Sequence, residues 1–407
     1  MAVRTPTGSP SGRALGLGAA AALLLLVGCC TVGLSMELQG TVSLEGRLFP
    51  QASAYQGQED YDASLVLEPE LYWEGEGGLS CSLKPFLRLD TSDPERSHSD
   101  LREANLLYGA DSWQLLFGLD KVFWGVTEFV HLVDIVNQTD LVESPDQEEK
   151  LGQPMLALSL EQEWGTLEAY LLPLFRERTF PGSRGRLRGP LVIDSGAAEY
   201  ESGAGRTHPD LALRYSHTLG NLDLGLYQFF GTSREPLFLP SAGQEEELIP
   251  FYSQISQTGL DLQLVEGQWL WKLEALQRSG QGPGRGAVAC GFEYTWVRPW
   301  QLDLDLGFIA EYVRDQRRLA DDSPYDNDLM LGMRLGLNDA QGSELLLGMV
   351  QDLAQPSCFM VLEAGQRLGE SLHLSLSGYL FVRTAEQDPL RFYQQDSYLL
   401  FKGSYYF

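Results

Sequence analysis

Five arginines fall within thirteen residues, Arg176, Arg178, Arg184, Arg186 and Arg188, in a chain whose net charge is −27. A guanidinium stays charged and presents a planar fork suited to carboxylate or phosphate. Upstream lies the opposite sign, with Asp134, Asp140, Glu143, Asp146, Glu148 and Glu149. Two such segments brought face to face would set up a transverse field that sorts solutes by charge. Alternatively, the arginines would pair with those acids and hold the segments together. That is electrostatic chemistry, and support for bond-making chemistry is thin. The histidines are His98, His131, His208, His217 and His373, none in HExxH spacing, and neither GxSxG nor a P-loop occurs. His208 with Asp210, or His98 with Asp100, are pairs that arise easily by chance. The chain is therefore expected not to be an enzyme and to need no cofactor or metal.

The elements that position these charges are legible from periodicity. Between Gln301 and Val313, Leu302, Leu304, Leu306, Phe308, Ala310 and Tyr312 share one side, while Gln301, Asp303, Asp305, Gly307 and Glu311 share the other. Period-two alternation is the mark of a strand with one apolar face. The pattern repeats through spans 37–48, 62–75, 78–90, 99–109, 112–121, 154–163, 166–173, 209–218, 221–230, 256–265, 268–278, 286–297, 300–313, 325–337, 342–352, 357–367, 370–383 and 395–407. Tight connections such as Glu76-Gly77, Trp164-Gly165, Glu266-Gly267 and Leu368-Gly369 alternate with longer ones. This predicts an all-β fold, a transmembrane antiparallel barrel of about eighteen strands with long extracellular loops and short periplasmic turns. Sixteen is the second choice, because 99–109 and 112–121 alternate less cleanly. Trp269, Trp271, Trp296 and Trp300 beside tight turns would form an interfacial girdle.

Composition agrees. The chain has 407 residues, 43% hydrophobic and 21% charged. Beyond the N-terminal region no apolar run is long enough for a membrane helix. Its acidity excludes nucleic acid as a partner. Residues 1–35 read as a secretory signal peptide, with Arg4 and Arg13 ahead of an apolar core. Leu26-Val27-Gly28-Cys29 resembles a lipobox, and ordinary cleavage before Met36 is the other option. Residues 36–407 are expected to form one outer-membrane domain. Cys81, Cys290 and Cys358 read as small lipid-facing hydrophobes.

The last strand alternates Leu399, Phe401, Gly403, Tyr405 and Phe407. It resembles the C-terminal signature by which the assembly machinery recognises bacterial outer-membrane barrels, with Phe401, Tyr405 and Phe407 as the signal. Over 37–407 the chain is similar to porin-like barrels, including the eighteen-stranded channels of the alginate-export kind. The resemblance implies a multi-pass protein of a Gram-negative-type outer membrane. Its partners would be outer-membrane lipid and lipopolysaccharide, the barrel-assembly machinery and small hydrophilic solutes; monomer and homo-oligomer both fit.

Two long loops, at about 122–153 and 174–208, are the expected functional parts. In porins the third long loop folds inward, and the resemblance implies the same of 122–153. Phe129, Leu132, Val133 and Val136 recur at helical spacing, which predicts a short helix with Thr127 as N-cap. The expected function is passive diffusion of small hydrophilic solutes, charged ones included, through a lumen narrowed by these loops. The constriction would be set by Asp134, Asp140, Glu143 and the five arginines. The alternative is a non-conducting adhesin or anchor with a plugged lumen.

Overall fold

The computed structural model describes residues 36–241, 247–316 and 325–407; the signal peptide expected over 1–35 lies outside them. Alternating sequences become strands because each pleat puts one side chain toward lipid and the next toward the lumen. Eighteen strands pair in chain order into one sheet. They are β1 (Met36–Leu48), β2 (Tyr61–Glu74), β3 (Leu79–Asp90), β4 (Ser99–Gly109), β5 (Trp113–Asp120), β6 (Gln153–Gln162) and β7 (Gly165–Leu172). Two short strands outside the barrel follow, β8 (Val192–Ile193) and β9 (Glu199–Tyr200). The barrel resumes with β10 (Asp210–Leu219) and β11 (Leu222–Thr232), and β12 (Leu237–Pro240) and β13 (Glu247–Tyr252) again lie outside it. It is completed by β14 (Gln254–Glu266), β15 (Trp269–Gly280), β16 (Gly282–Val297), β17 (Leu304–Asp315), β18 (Asn327–Leu337), β19 (Glu344–Asp352), β20 (Cys358–Leu368), β21 (Leu372–Arg383) and β22 (Tyr398–Tyr406). Each predicted span overlaps one of the eighteen barrel strands, with ends that differ by up to four residues.

The barrel is closed by β1 against β22, from Thr41 opposite Tyr406 to Leu48 opposite Leu399. Beyond that ladder, Gly40 and Phe407 exchange backbone hydrogen bonds of 3.2 and 3.1 Å. Closure leaves no sheet edge to desolvate, which a membrane demands. Leucines and aromatics such as Leu44, Phe117, Leu213, Trp271, Phe401 and Tyr405 stand exposed on the outer wall. The rings of Trp269 and Trp271 stack at 5.5 Å, and those of Trp296 and Trp300 lie 4.7 Å apart. The turn predicted at Arg298-Pro299 runs on to Asp303, because Arg298, Trp300 and Gln301 adopt left-handed backbone. The three described cysteines are free thiols on partly exposed positions.

The imperfect alternation of 99–109 has a local cause. Lys84 pairs with Glu103 but Pro85 pairs with Leu101, so Arg102 is an extra residue in β4. A proline cannot donate to the ladder, and a bulge accommodates it. The bulge turns both Arg102 and Glu103 toward the lumen side.

Candidate pore constriction

The segment between β5 and β6 runs into the lumen, but it forms no helix. Its apolar residues do not share one face. Leu132 is buried with Leu276, Ala289, Val313 and Met330, with Phe129 packed against the same cluster. Val133 and Val136 are buried instead with Trp124, Tyr170, Ala212, Tyr227 and Phe229. The segment bridges two parts of the wall, so the helical spacing of these four residues serves two surfaces rather than one. Without a helix its backbone N–H groups need other acceptors. The wall supplies them as carboxylates. Glu274 accepts from the N–H of Val126, Thr127 and Val133 at 2.7, 3.0 and 3.3 Å, and from the Thr127 hydroxyl at 2.7 Å. Glu311 accepts from the N–H of Glu128 and Phe129 at 2.7 and 3.1 Å. Thr127 is thus a rivet to the wall, not a helix cap.

The loop acids meet wall cations. Asp134 pairs with Lys150 within the loop at 3.0 Å. Asp140 pairs with Arg102 at 2.7 Å and accepts from Thr179 at 2.6 Å. Glu143 takes Arg88 in a fork at 2.8 and 2.5 Å, and the same guanidinium reaches Glu45 at 2.5 Å. Arg96 donates to the carbonyls of Val142 and Glu143 at 2.9 and 2.7 Å. Burial would raise the Asp140 carboxyl, but the hydrogen bond and charge of His98 and the charge of Arg102 hold it well below the usual range. Burial would lower His98, and Asp140 and Glu143 raise it instead. His98, Asp140 and Glu143 converge within 4.8 Å, yet both carboxylates are already engaged by guanidinium groups. That favours an ion-pair lock over a metal centre.

Arg176, Arg186 and Arg188 of the five arginines are engaged away from these acids. Arg176 pairs with Asp100 at 2.6 Å, and Arg178 donates to Gln138 at 3.3 Å. Arg186 is buried and pairs with Asp396 at 2.6 Å and Asp60 at 3.1 Å, its guanidinium 4.4 Å from the Phe49 ring. Arg188 lies 4.2 Å over the Tyr55 ring and donates to the carbonyls of Ser183, Gly189 and Pro190. Arg184 is exposed. The cluster is a strap from segment 174–208 to the β1–β2 and β21–β22 loops. The expected transverse pairing fails because Asp140 and Glu143 are taken first by Arg102 and Arg88, which the sequence reading gave no part in the constriction. Their only signal was a base in or beside an inward wall position. The histidine pairs are also reassigned. Asp210 accepts from Thr232 and Arg234, with His208 at 3.2 Å. Asp100 serves Arg102 and Arg176, not His98.

No protein-family model matches this sequence, and no curated protein does. Solved structures do. The chain is similar to OccK2 (OpdF) of Pseudomonas aeruginosa, solved in complex with glucuronate, with TM-score 0.55 and 11% identity over 91% of this chain and 98% of that one. It is similar to a BenF-like porin of Pseudomonas fluorescens, with TM-score 0.54 and 8% identity over 92% and 98%. OccD3 (OpdP) of Pseudomonas aeruginosa gives TM-score 0.51 and 12% identity over 92% of each chain. The fold is that of a porin. With its apolar outer wall, this porin-like chain is a multi-pass β-barrel of the outer membrane.

The cations of this porin-like lumen are largely spoken for. Lys84 lies 3.9 Å from Glu70, Arg214 2.8 Å from Asp261, Lys402 3.4 Å from Glu45 and Lys272 3.4 Å from Glu128. Arg334 also pairs with Glu128. None of these five is paired with the inward-facing Glu68, Glu103, Glu168 or Glu363.

Proposed function

We propose that the barrel is a passive diffusion channel for small hydrophilic solutes and that it prefers cations. The observation that carries this is the pairing inside the lumen. The guanidinium groups are neutralised by Glu45, Asp100, Asp140, Glu143 and Asp396, whereas wall carboxylates such as Glu68, Glu103 and Glu363 have no paired base among the described residues. An unpaired charge focuses the field in a narrow aqueous path and a paired one does not. The inward segment around Asp134, Asp140 and Glu143 narrows the path, and the arginine strap lies over it. Planar-bilayer conductance across a salt gradient tests the reading, with discrete steps and a cation-selective reversal potential expected. The second reading, a plugged surface barrel, rests on the apolar packing of the segment against two walls. It predicts no steps from a barrel shown to be folded by heat-modifiable gel mobility.

Two further outcomes follow from the same charges. Arg186→Ala should leave the reversal potential nearly unchanged, since its charge is cancelled by Asp396, while lowering the temperature of the gel-mobility shift. A clear move toward cations would put the arginines in the selectivity path. Burial, with the charges of Asp146, Glu363, Glu149 and Glu128, pushes Glu148 up to about 7. Its ionised form is the disfavoured one, so the proton is taken up as pH falls through about 7. Cation preference should therefore weaken below that pH, and Glu148→Gln should abolish the dependence, both read as reversal potential against pH. By linkage the folded state loses stability as pH rises from the usual carboxylate range to about 7, and not below that range.

A further inference from the structure

A row of inward-facing apolar residues climbs the wall strand by strand. Leu107 on β4 stands opposite Leu116 on β5, Leu116 opposite Ala157 on β6, and Ala157 opposite Tyr170 on β7. Tyr170 stands opposite Ala212 on β10, and Ala212 opposite Phe229 on β11. Apolar side chains facing a water-filled lumen cost free energy unless something covers them. The upper end of the row is covered, since Ala212 and Phe229 are fully buried beneath Trp124, Val133 and Val136 of the inward segment. The lower end is covered only in part, with Leu116, Val122 and Ala157 half-buried against the same cluster. Leu107, Leu116, Val122, Met155, Ala157 and Tyr170 line a cavity of about 190 Å³.

The polar groups of that cavity are of one sign. Asp120 and Glu168 line it, with Gln114 and Ser159, and no basic side chain does. Each acid has an oxygen engaged by a neutral donor, the Lys121 N–H at 2.8 Å for Asp120 and the Tyr170 hydroxyl at 2.8 Å for Glu168. Arg214, opposite Glu168 in the next strand, is held by Asp261 at 2.8 Å, and Lys121 follows Asp120 in the chain. An apolar floor with two carboxylates, whose nearby cations Lys121 and Arg214 are not among the lining side chains, complements a molecule with an apolar body and one positive end. The volume is below the roughly 300–1,000 Å³ of pockets for drug-sized ligands, so the molecule is small.

We infer that this cavity is a binding subsite for small amphipathic organic cations, such as aryl- or alkylammonium solutes, on the lumen wall beside the inward segment. The assignment rests on the proposed reading of the lumen as a cation-preferring solute path, but it can be tested apart from conductance. The probe is benzylammonium, titrated by calorimetry into the folded barrel in detergent, with benzyl alcohol and phenylacetate as comparisons. Benzylammonium should bind best of the three. Asp120→Asn combined with Glu168→Gln should weaken it about tenfold. Leu107→Asn with Leu116→Asn should bring it down to the level of tetramethylammonium. In bilayers, the same probe should block the current of the native barrel and not of these variants. Equal binding of benzyl alcohol, or stronger binding of phenylacetate, overturns the inference even if the channel conducts. Binding as expected from a barrel that never conducts supports the subsite and sinks the channel reading instead.

Discussion

Glu274→Ala is expected to give a larger and noisier single-channel conductance than the native barrel. Glu274 is fully buried and is the sole acceptor described for three backbone N–H groups of the inward segment, as well as binding the Thr127 hydroxyl. A buried donor left without a partner costs about 1–3 kcal/mol. Three of them together cost about 3–9 kcal/mol, so this part of the segment should leave the wall. Water would then reach the groups that Glu274 now satisfies, and the path would widen. Glu274→Gln keeps one acceptor oxygen but turns an amide NH2 toward the donors, so its conductance should fall between the two. The eighteen-stranded ladder does not depend on Glu274, and the heat-modifiable gel shift should move little. Conductance equal to native in the alanine variant, with folding intact, would mean that the segment is held by its apolar contacts alone.

The barrel was readable because its information is local. Outward alternation in residues such as Leu302 to Tyr312 and glycine-marked turns such as Glu266-Gly267 recur along the chain, and each repeat states the same fold. Even the weak point was informative, since the poor alternation near Arg102 marks a bulge forced by Pro85 in the neighbouring strand. The interior was less legible for a physical reason. Phe129, Leu132, Val133 and Val136 carry a real helical spacing, but a segment lying between two walls can satisfy each residue against whichever wall it meets. Periodicity says which residues are apolar partners, not how many surfaces await them. The arginines misled in the same way. Five in one segment look like a purpose, yet Arg186 finds Asp396, 210 residues away, before it finds the loop acids. The acids find Arg88 and Arg102, and such pairings are set by closure of the barrel, which no local pattern records.

Arg88→Met should be the most destabilising single change in this interior. Arg88 lies between Glu45 and Glu143, and all three side chains are buried. Removing one partner of a buried ion pair typically costs about 3–5 kcal/mol, mostly from the charge left behind. Here the two orphans differ. Glu45 keeps Arg96 at 3.2 Å and Lys402 at 3.4 Å. Among the described residues the Glu143 carboxylate keeps only His98, at 3.6 Å. The cost should therefore fall on Glu143, and Glu143→Gln added to Arg88→Met should recover much of it, although Glu143→Gln alone is destabilising. A double-mutant cycle on the urea midpoint of the gel-mobility shift measures this coupling. If Arg88→Met and Arg88→Met with Glu143→Gln unfold at the same urea concentration, the guanidinium acts through Glu45. The inward segment would then be held by Arg96 and Arg102 without it.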